Sequence, residues 1–140
     1  MIVLDASVAT KWFHGIGEEN RDRALHYLRL HLDGQLTIHV PDLLLYEVAN
    51  ALLCKAELGS DMVLSALESL AEYNLVMHWP GLKGIRAGTE IAAELALSVY
   101  DASYVALSRE LRIPLITADK KLVRKARQPD DVVLLSAFEL

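Results

Sequence analysis

Five short apolar runs punctuate this chain: MIVL (1–4), LTIHV (36–40), LVMHW (75–79), PLIT (114–117) and VVLL (132–135). Each reads as a buried strand, and the intervals between them carry helical spacing. In EENRDRALHYLRLHLDG, Ala24, Leu25, Leu28 and Leu32 form a stripe that Gly34 stops. The segment after Pro41 reads as a helix to about Gly59, and SDMVLSALESLAEYN as another, capped by Ser60 or Asp61. Residues 82–98, 101–112 and 119–127 supply three more. Strands alternating with helices predict an α/β fold with a parallel sheet covered on both faces. No repeat, low-complexity segment or linker interrupts residues 1–140, so one domain is expected.

Composition narrows the class. Apolar residues make up 53% of the chain, yet no uninterrupted apolar run approaches the roughly 18 residues of a membrane span. The first residues are already strand-like and lack the basic start and cleavage site of a signal peptide. The surplus apolar surface is therefore assigned to a large core and to an interface. Cys54 is the single cysteine, which excludes an internal disulfide and fits a reducing, cytoplasmic compartment. None of the five histidines forms an i,i+4 pair or has a cysteine partner, so the usual zinc spacing is absent. A net charge of −5 opposes non-specific binding to a nucleic-acid backbone.

The acids carry the chemistry. Ligands of open α/β sheets bind beyond the carboxyl ends of the strands. Asp5 follows the first strand directly, Asp42 follows the second, and Asp119 follows PLIT with one residue between. Asp5, Asp42, Asp101 and Asp119 each precede a helical stretch, so each has a ready reading as a helix N-cap. Glu47 is different. Its helix is apolar on nearly every side, and only Asn50, three residues on, shares its polar stripe. A carboxylate in a mostly buried helix requires partners. Ser7 lies two residues after Asp5, and Thr117 two before Asp119. A first-turn hydrogen bond and an ordinary strand threonine would explain them singly. Beside two candidate ligands they also suit an orienting role.

If Asp5, Glu47, Asp101 and Asp119 converge, electrostatics dictates the rest. Two unit charges about 4 Å apart repel by roughly 4 kcal/mol at an effective dielectric near 20. Either some acids are protonated or a cation holds them. Hard oxygen ligands without histidine or thiolate favour Mg²⁺ or Mn²⁺ over zinc. Such an ion activates water and shields phosphate, which suits phosphodiester hydrolysis.

The segments MIVLDASVATKWF, PDLLLYEVANALL and YDASYVALSRELRIPLITADKKL, in that order, resemble the PIN-domain ribonucleases, specifically the VapC-type toxins of toxin–antitoxin pairs. The resemblance covers essentially the whole chain. It implies a three-layer α/β/α sandwich with a twisted, mainly parallel five-stranded sheet, a homodimer, single-stranded RNA as substrate, and a small VapB-type antitoxin whose tail occupies a groove near the active site. By position, Asp5, Glu47, Asp101 and Asp119 match the family's acidic quartet that binds Mg²⁺ or Mn²⁺. Asp5, Asp101 and Asp119 match ligands, direct or through water, and Glu47 the acid that handles water. Ser7 and Thr117 match its supporting hydroxyls, and Asn50 the polar residue after the glutamate. The family also implies products with 5′-phosphate and 3′-hydroxyl ends. The chain departs at Lys120 and Lys121, where some relatives carry a further acid.

Basic residues cluster beside the fourth acid: DKKLVRKAR holds Lys120, Lys121, Arg124, Lys125 and Arg127. They suit flanking phosphates, or simply a solvated helix face. Lys11 and Trp12 suit a nucleotide and a base, or, for Trp12, packing in the core. Leu43, Leu44, Leu45 and Tyr46, with Met62, Leu64, Leu67 and Leu70, suit the antitoxin groove or the core. Two rival readings stand. In a receiver-type signalling domain Asp42 would be the phosphoacceptor and Lys120 its charge partner, which leaves Glu47, Asn50 and Asp101 idle. The other is a catalytically silent PIN-like interaction module.

Overall fold

Strand β1 (Ile2–Leu4) has no side chain more than 1% exposed. Alternate residues of a strand point to opposite faces, so this sheet is covered on both. The computed structural model describes residues 1–15, 19–56, 58–126 and 132–140, apart from the Lys55 side chain. Within them β1 is joined by β2 (Ile38–Pro41), β3 (Val76–His78), β4 (Leu115–Thr117) and β5 (Val132–Leu134). All pair in parallel, in the order β3-β2-β1-β4-β5. Burial falls toward the β3 edge, where Val76 and Met77 are exposed. All five expected strands are present, each shorter than its apolar run. Pro41 closes β2 because its missing N–H is not needed there: the next donor is the Asp42 amide, to the His78 carbonyl at 3.0 Å.

The helices are α1 (Ala6–Phe13), α2 (Arg21–Leu32), α3 (Leu43–Asn50), α4 (Ser60–Glu72), α5 (Gly81–Leu95), α6 (Val99–Leu111) and α7 (Lys120–Ala126). α6 lies against β1, β2 and β4, α1 packs on β4, and α5 covers α6. Among the described residues no helix is long and apolar enough to cross a membrane.

Several sequence expectations need correction. The helix expected from Pro41 to Gly59 is α only to Asn50. A π turn follows over Ala51–Lys55, in which the Ala56 amide donates to the Ala51 carbonyl at 3.0 Å. In α2, Ala24 and Leu28 are buried as expected, but Leu32 is exposed and Tyr27 takes its place. The hydroxyl of Tyr27 and the guanidinium of Arg23 both donate to the Phe138 carbonyl, tying the C-terminal segment to this face. α5 ends three residues early because Ala96 turns left-handed at φ 53°, with the Lys125 ammonium donating to its carbonyl. Arg127 lies outside the described residues. Trp12 is core. Its indole donates to the Ala24 carbonyl at 3.0 Å, and its ring meets Phe13 and Tyr73 edge-on. It therefore offers no face to a base.

α6 starts two residues before the expected position. Ser98 is its N-cap, and the Ser98 Oγ accepts the Asp101 amide at 3.0 Å. Asp101 is thus a first-turn acid, favoured by the helix dipole, and not a cap. Ser98→Ala should cost about 1 kcal/mol of stability, read by urea denaturation.

The strand order also decides between rivals. Receiver-type folds run 2-1-3-4-5. This sheet runs 3-2-1-4-5, so the phosphoacceptor reading of Asp42 and Lys120 falls.

Candidate active site

From β1 the chain moves outward through β2 to β3, then returns to place β4 on the other side of β1. The reversal opens a crevice at the carboxyl ends of β1 and β4, the usual place for a ligand in such sheets. Asp5 stands at the end of β1, and Thr117 to Asp119 at the end of β4.

Two hydroxyls converge on Asp5. Ser7 Oγ donates to Asp5 Oδ2 at 2.5 Å, and Thr117 Oγ1 to the same oxygen at 2.7 Å. Each hydroxyl has a single proton, so both are committed to the carboxylate. Their lone pairs take backbone amides: Ala118 N donates to Ser7 Oγ and Asp119 N to Thr117 Oγ1, both at 3.0 Å. The post-β4 loop is thereby laced to β1 through one carboxylate. Asp5 occupies the N-cap position of α1, but its side chain makes no cap bond.

The electrostatics oppose this acid being charged. Asp5 is buried, and burial is the main cause that lifts its pKa above the ordinary carboxylate value. The nearby Asp101 carboxylate pushes it further up. The Ser7 and Thr117 hydroxyls and the Ala6 amide pull the other way and do not prevail.

Glu47 is partly buried on α3. Its Oε2 accepts the Tyr104 hydroxyl at 2.6 Å, from one turn beyond Asp101 on α6. Burial, then the charges of Glu47 and Asp5, push the Tyr104 phenol far above its ordinary value. Tyr104 therefore senses both acids. Sequence reading missed it, although its i+3 spacing from Asp101 was a usable signal.

Asp119 does act as a helix N-cap. Its Oδ1 accepts the Lys121 and Leu122 amides at 2.7 and 3.3 Å, capping α7. Asn50 is exposed, and its amide oxygen accepts the Cys54 thiol. Lys11 stands one turn after Ser7 on α1 and is partly buried. Lys120, Lys121 and Arg124 are exposed on α7. Leu44 and Leu70 belong to the core, while Tyr46, Met62 and Leu64 are exposed.

The donor set is oxygen-only, and a cation would relieve the Asp5–Asp101 repulsion. Among the described residues no three acidic, histidine or cysteine side chains stand close enough to hold an ion by themselves. Binding in which some of Asp5, Asp101, Asp119 and Glu47 reach an ion only through water is compatible with that spacing. Mg²⁺ in particular is commonly held by one or two carboxylates and several waters, which suits Asp5 and Asp101. His39 Nδ1 and His78 Nε2 meet at 2.9 Å across β2 and β3, a pair that sequence spacing did not reveal. Two imidazoles are too few for a closed zinc site.

The family model for the PIN domain matches residues 2–128. The chain belongs to the PIN-domain family. Ribonuclease VapC3 of Pyrobaculum aerophilum is 31% identical over 130 residues, spanning 89% of this chain and 93% of the relative. The crystal structure of PAE2754, also from Pyrobaculum aerophilum, superposes with a TM-score of 0.68 at 20% identity, covering 96% of this chain and 90% of that one. VapC20 of Mycobacterium tuberculosis, described as a sarcin–ricin loop cleaving toxin, gives a TM-score of 0.69 at 16% identity, covering 89% of this PIN-domain chain and 94% of its own. The two structures share the α/β fold found here. Within the PIN-domain family the likeness is to VapC-type members.

Proposed function

We propose that this PIN-domain protein is the toxin of a VapBC-type toxin–antitoxin pair, a Mg²⁺- or Mn²⁺-dependent endoribonuclease that cuts single-stranded RNA. One observation carries the reading: Asp5, a buried carboxylate at the topological switch point, faces the charge of Asp101 while two hydroxyls lock its orientation. Such an arrangement costs stability unless a cation is present, and charge kept at a cost in a crevice points to chemistry. The VapC3 relative names the class of reaction.

Asp5 and Asp101 would hold the ion, with Asp119 reaching it through water. When bound, the ion neutralises the acids and activates water against a phosphodiester. Ser7 and Thr117 keep the Asp5 carboxylate in one plane. Glu47 accepts the proton of the attacking water. Lys11, Lys120, Lys121 and Arg124 hold flanking phosphates, which offsets the net charge of −5 locally. The exposed Tyr46, Met62 and Leu64 form part of the groove for the antitoxin. The active unit is a cytoplasmic homodimer.

The test is cleavage of end-labelled single-stranded RNA by the purified protein freed of antitoxin. Cutting is expected with Mg²⁺ or Mn²⁺, leaving 5′-phosphate and 3′-hydroxyl ends, and none in excess chelator. Equal cutting in chelator would refute the reading.

A further inference from the structure

We infer that Tyr104 is a positioning residue of the acidic site, holding the Glu47 carboxylate where it meets the reacting water. The inference rests on the nuclease reading above. Tyr104 is fully buried, so it touches neither RNA nor bulk solvent. Its ring fills the core, a task that phenylalanine would perform equally well. What the hydroxyl adds is one hydrogen bond of 2.6 Å to Glu47 Oε2, across 57 residues of sequence and between two elements.

The placement has a geometric logic. Tyr104 is three residues from Asp101, hence on the same face of α6 and one turn deeper. A single helix thus presents one acid toward Asp5 and, with its next turn, fixes another acid that arrives on α3. A glutamate has three rotatable bonds, and each hydrogen bond to its carboxylate narrows the rotamers open to it. A neutral phenol donor in the dry interior makes a strong, charge-assisted bond that selects one of them. Ser7 and Thr117 do the same for Asp5, so the site follows one rule: hydroxyls orient the carboxylates of the crevice.

A purely structural role for this bond, anchoring α3 to α6, is separated by three variants and two readouts. Tyr104→Phe keeps the ring and loses the donor, and 4-aminophenylalanine at position 104 restores a neutral donor. We expect Phe to lower kcat for RNA cleavage about tenfold or more, with KM within twofold and Tm nearly unchanged. The amino analogue should recover most of the loss. Tyr104→Leu serves as the packing control and should lower Tm. The second readout needs no activity: the carboxyl ¹³C signal of Glu47 should move in the Phe variant and return with the amino analogue.

An unchanged Glu47 signal in Tyr104→Phe overturns the inference whether or not RNA is cut. So does full activity of that variant, or a loss that merely follows a fall in Tm. If the wild-type protein shows no divalent-dependent cleavage, the nuclease reading fails, and the Glu47 signal alone then decides whether Tyr104 positions that carboxylate.

Discussion

Asp5→Asn should abolish most RNA cleavage while making the metal-free protein more stable at neutral pH. Asparagine keeps the shape of the side chain, and its carbonyl oxygen can still accept the Ser7 and Thr117 hydroxyls. What is lost is the charge that would hold an ion, so activity should fall by roughly two to three orders of magnitude, the several kcal/mol such an ion supplies. What is gained is relief from a buried charge facing Asp101. The pH dependence has a definite sign. A carboxyl whose folded pKa is raised binds its proton more tightly when folded, so its stabilising contribution is complete below the unfolded pKa. That contribution disappears as pH rises through the elevated folded pKa. Metal-free wild type should therefore lose stability from this group from about pH 4 upward, and the Asn variant should lack that component. Urea denaturation from pH 4 to 8 on both proteins reads it. A variant less stable than wild type at pH 7, or one retaining full activity, would contradict the assignment.

How far the chain announces this arrangement depends on what kind of signal each residue gives. The strands are legible because a parallel sheet buried on both faces needs continuous apolar runs, and MIVL and PLIT are such runs. Asp5 is legible for the converse reason, since an acid ending a fully buried strand requires an explanation. Element ends were less legible. Nothing in ANALLCKAE announces a π turn after Asn50, and an alanine in left-handed conformation at position 96 contradicts its own propensity. The start of α6 was missed because VYDA reads as well after the cap as before it. Only the Ser98 side chain, folded back onto the Asp101 amide, decides.

Within the site, spacing could propose that Ser7 and Thr117 serve the acids. It could not reveal that both choose the same oxygen of Asp5, because that depends on register between strands more than a hundred residues apart. Tyr104 was hard to see for a related reason, its spacing from Asp101 being the one hint. Its ring belongs to the core and only its last atom belongs to the site. The strand order was beyond sequence altogether, yet it is the order that puts Asp5 and Thr117 on either side of one crevice.

The same electrostatics predict a large effect of divalent ions on stability. In their absence, folding brings Asp101 up to the buried Asp5, so an ion that binds only the folded site is linked to folding. At about 100 times the dissociation constant the linkage is worth about 2.7 kcal/mol. For a chain of this size that is a rise in Tm on the order of 10 °C. Thermal unfolding with and without Mg²⁺ or Mn²⁺ reads it, with NaCl matched for ionic strength. Simple screening acts on exposed charges and only weakly on a carboxylate as buried as Asp5, so NaCl should reproduce little of the shift. Asp5→Asn and Asp101→Asn should each remove most of it, because each loses a charge that would hold the ion. Lys121→Ala, on the exposed face of α7, should leave it intact. A shift that persists in both acid variants would place the ion elsewhere and detach Asp5 and Asp101 from the role argued for them.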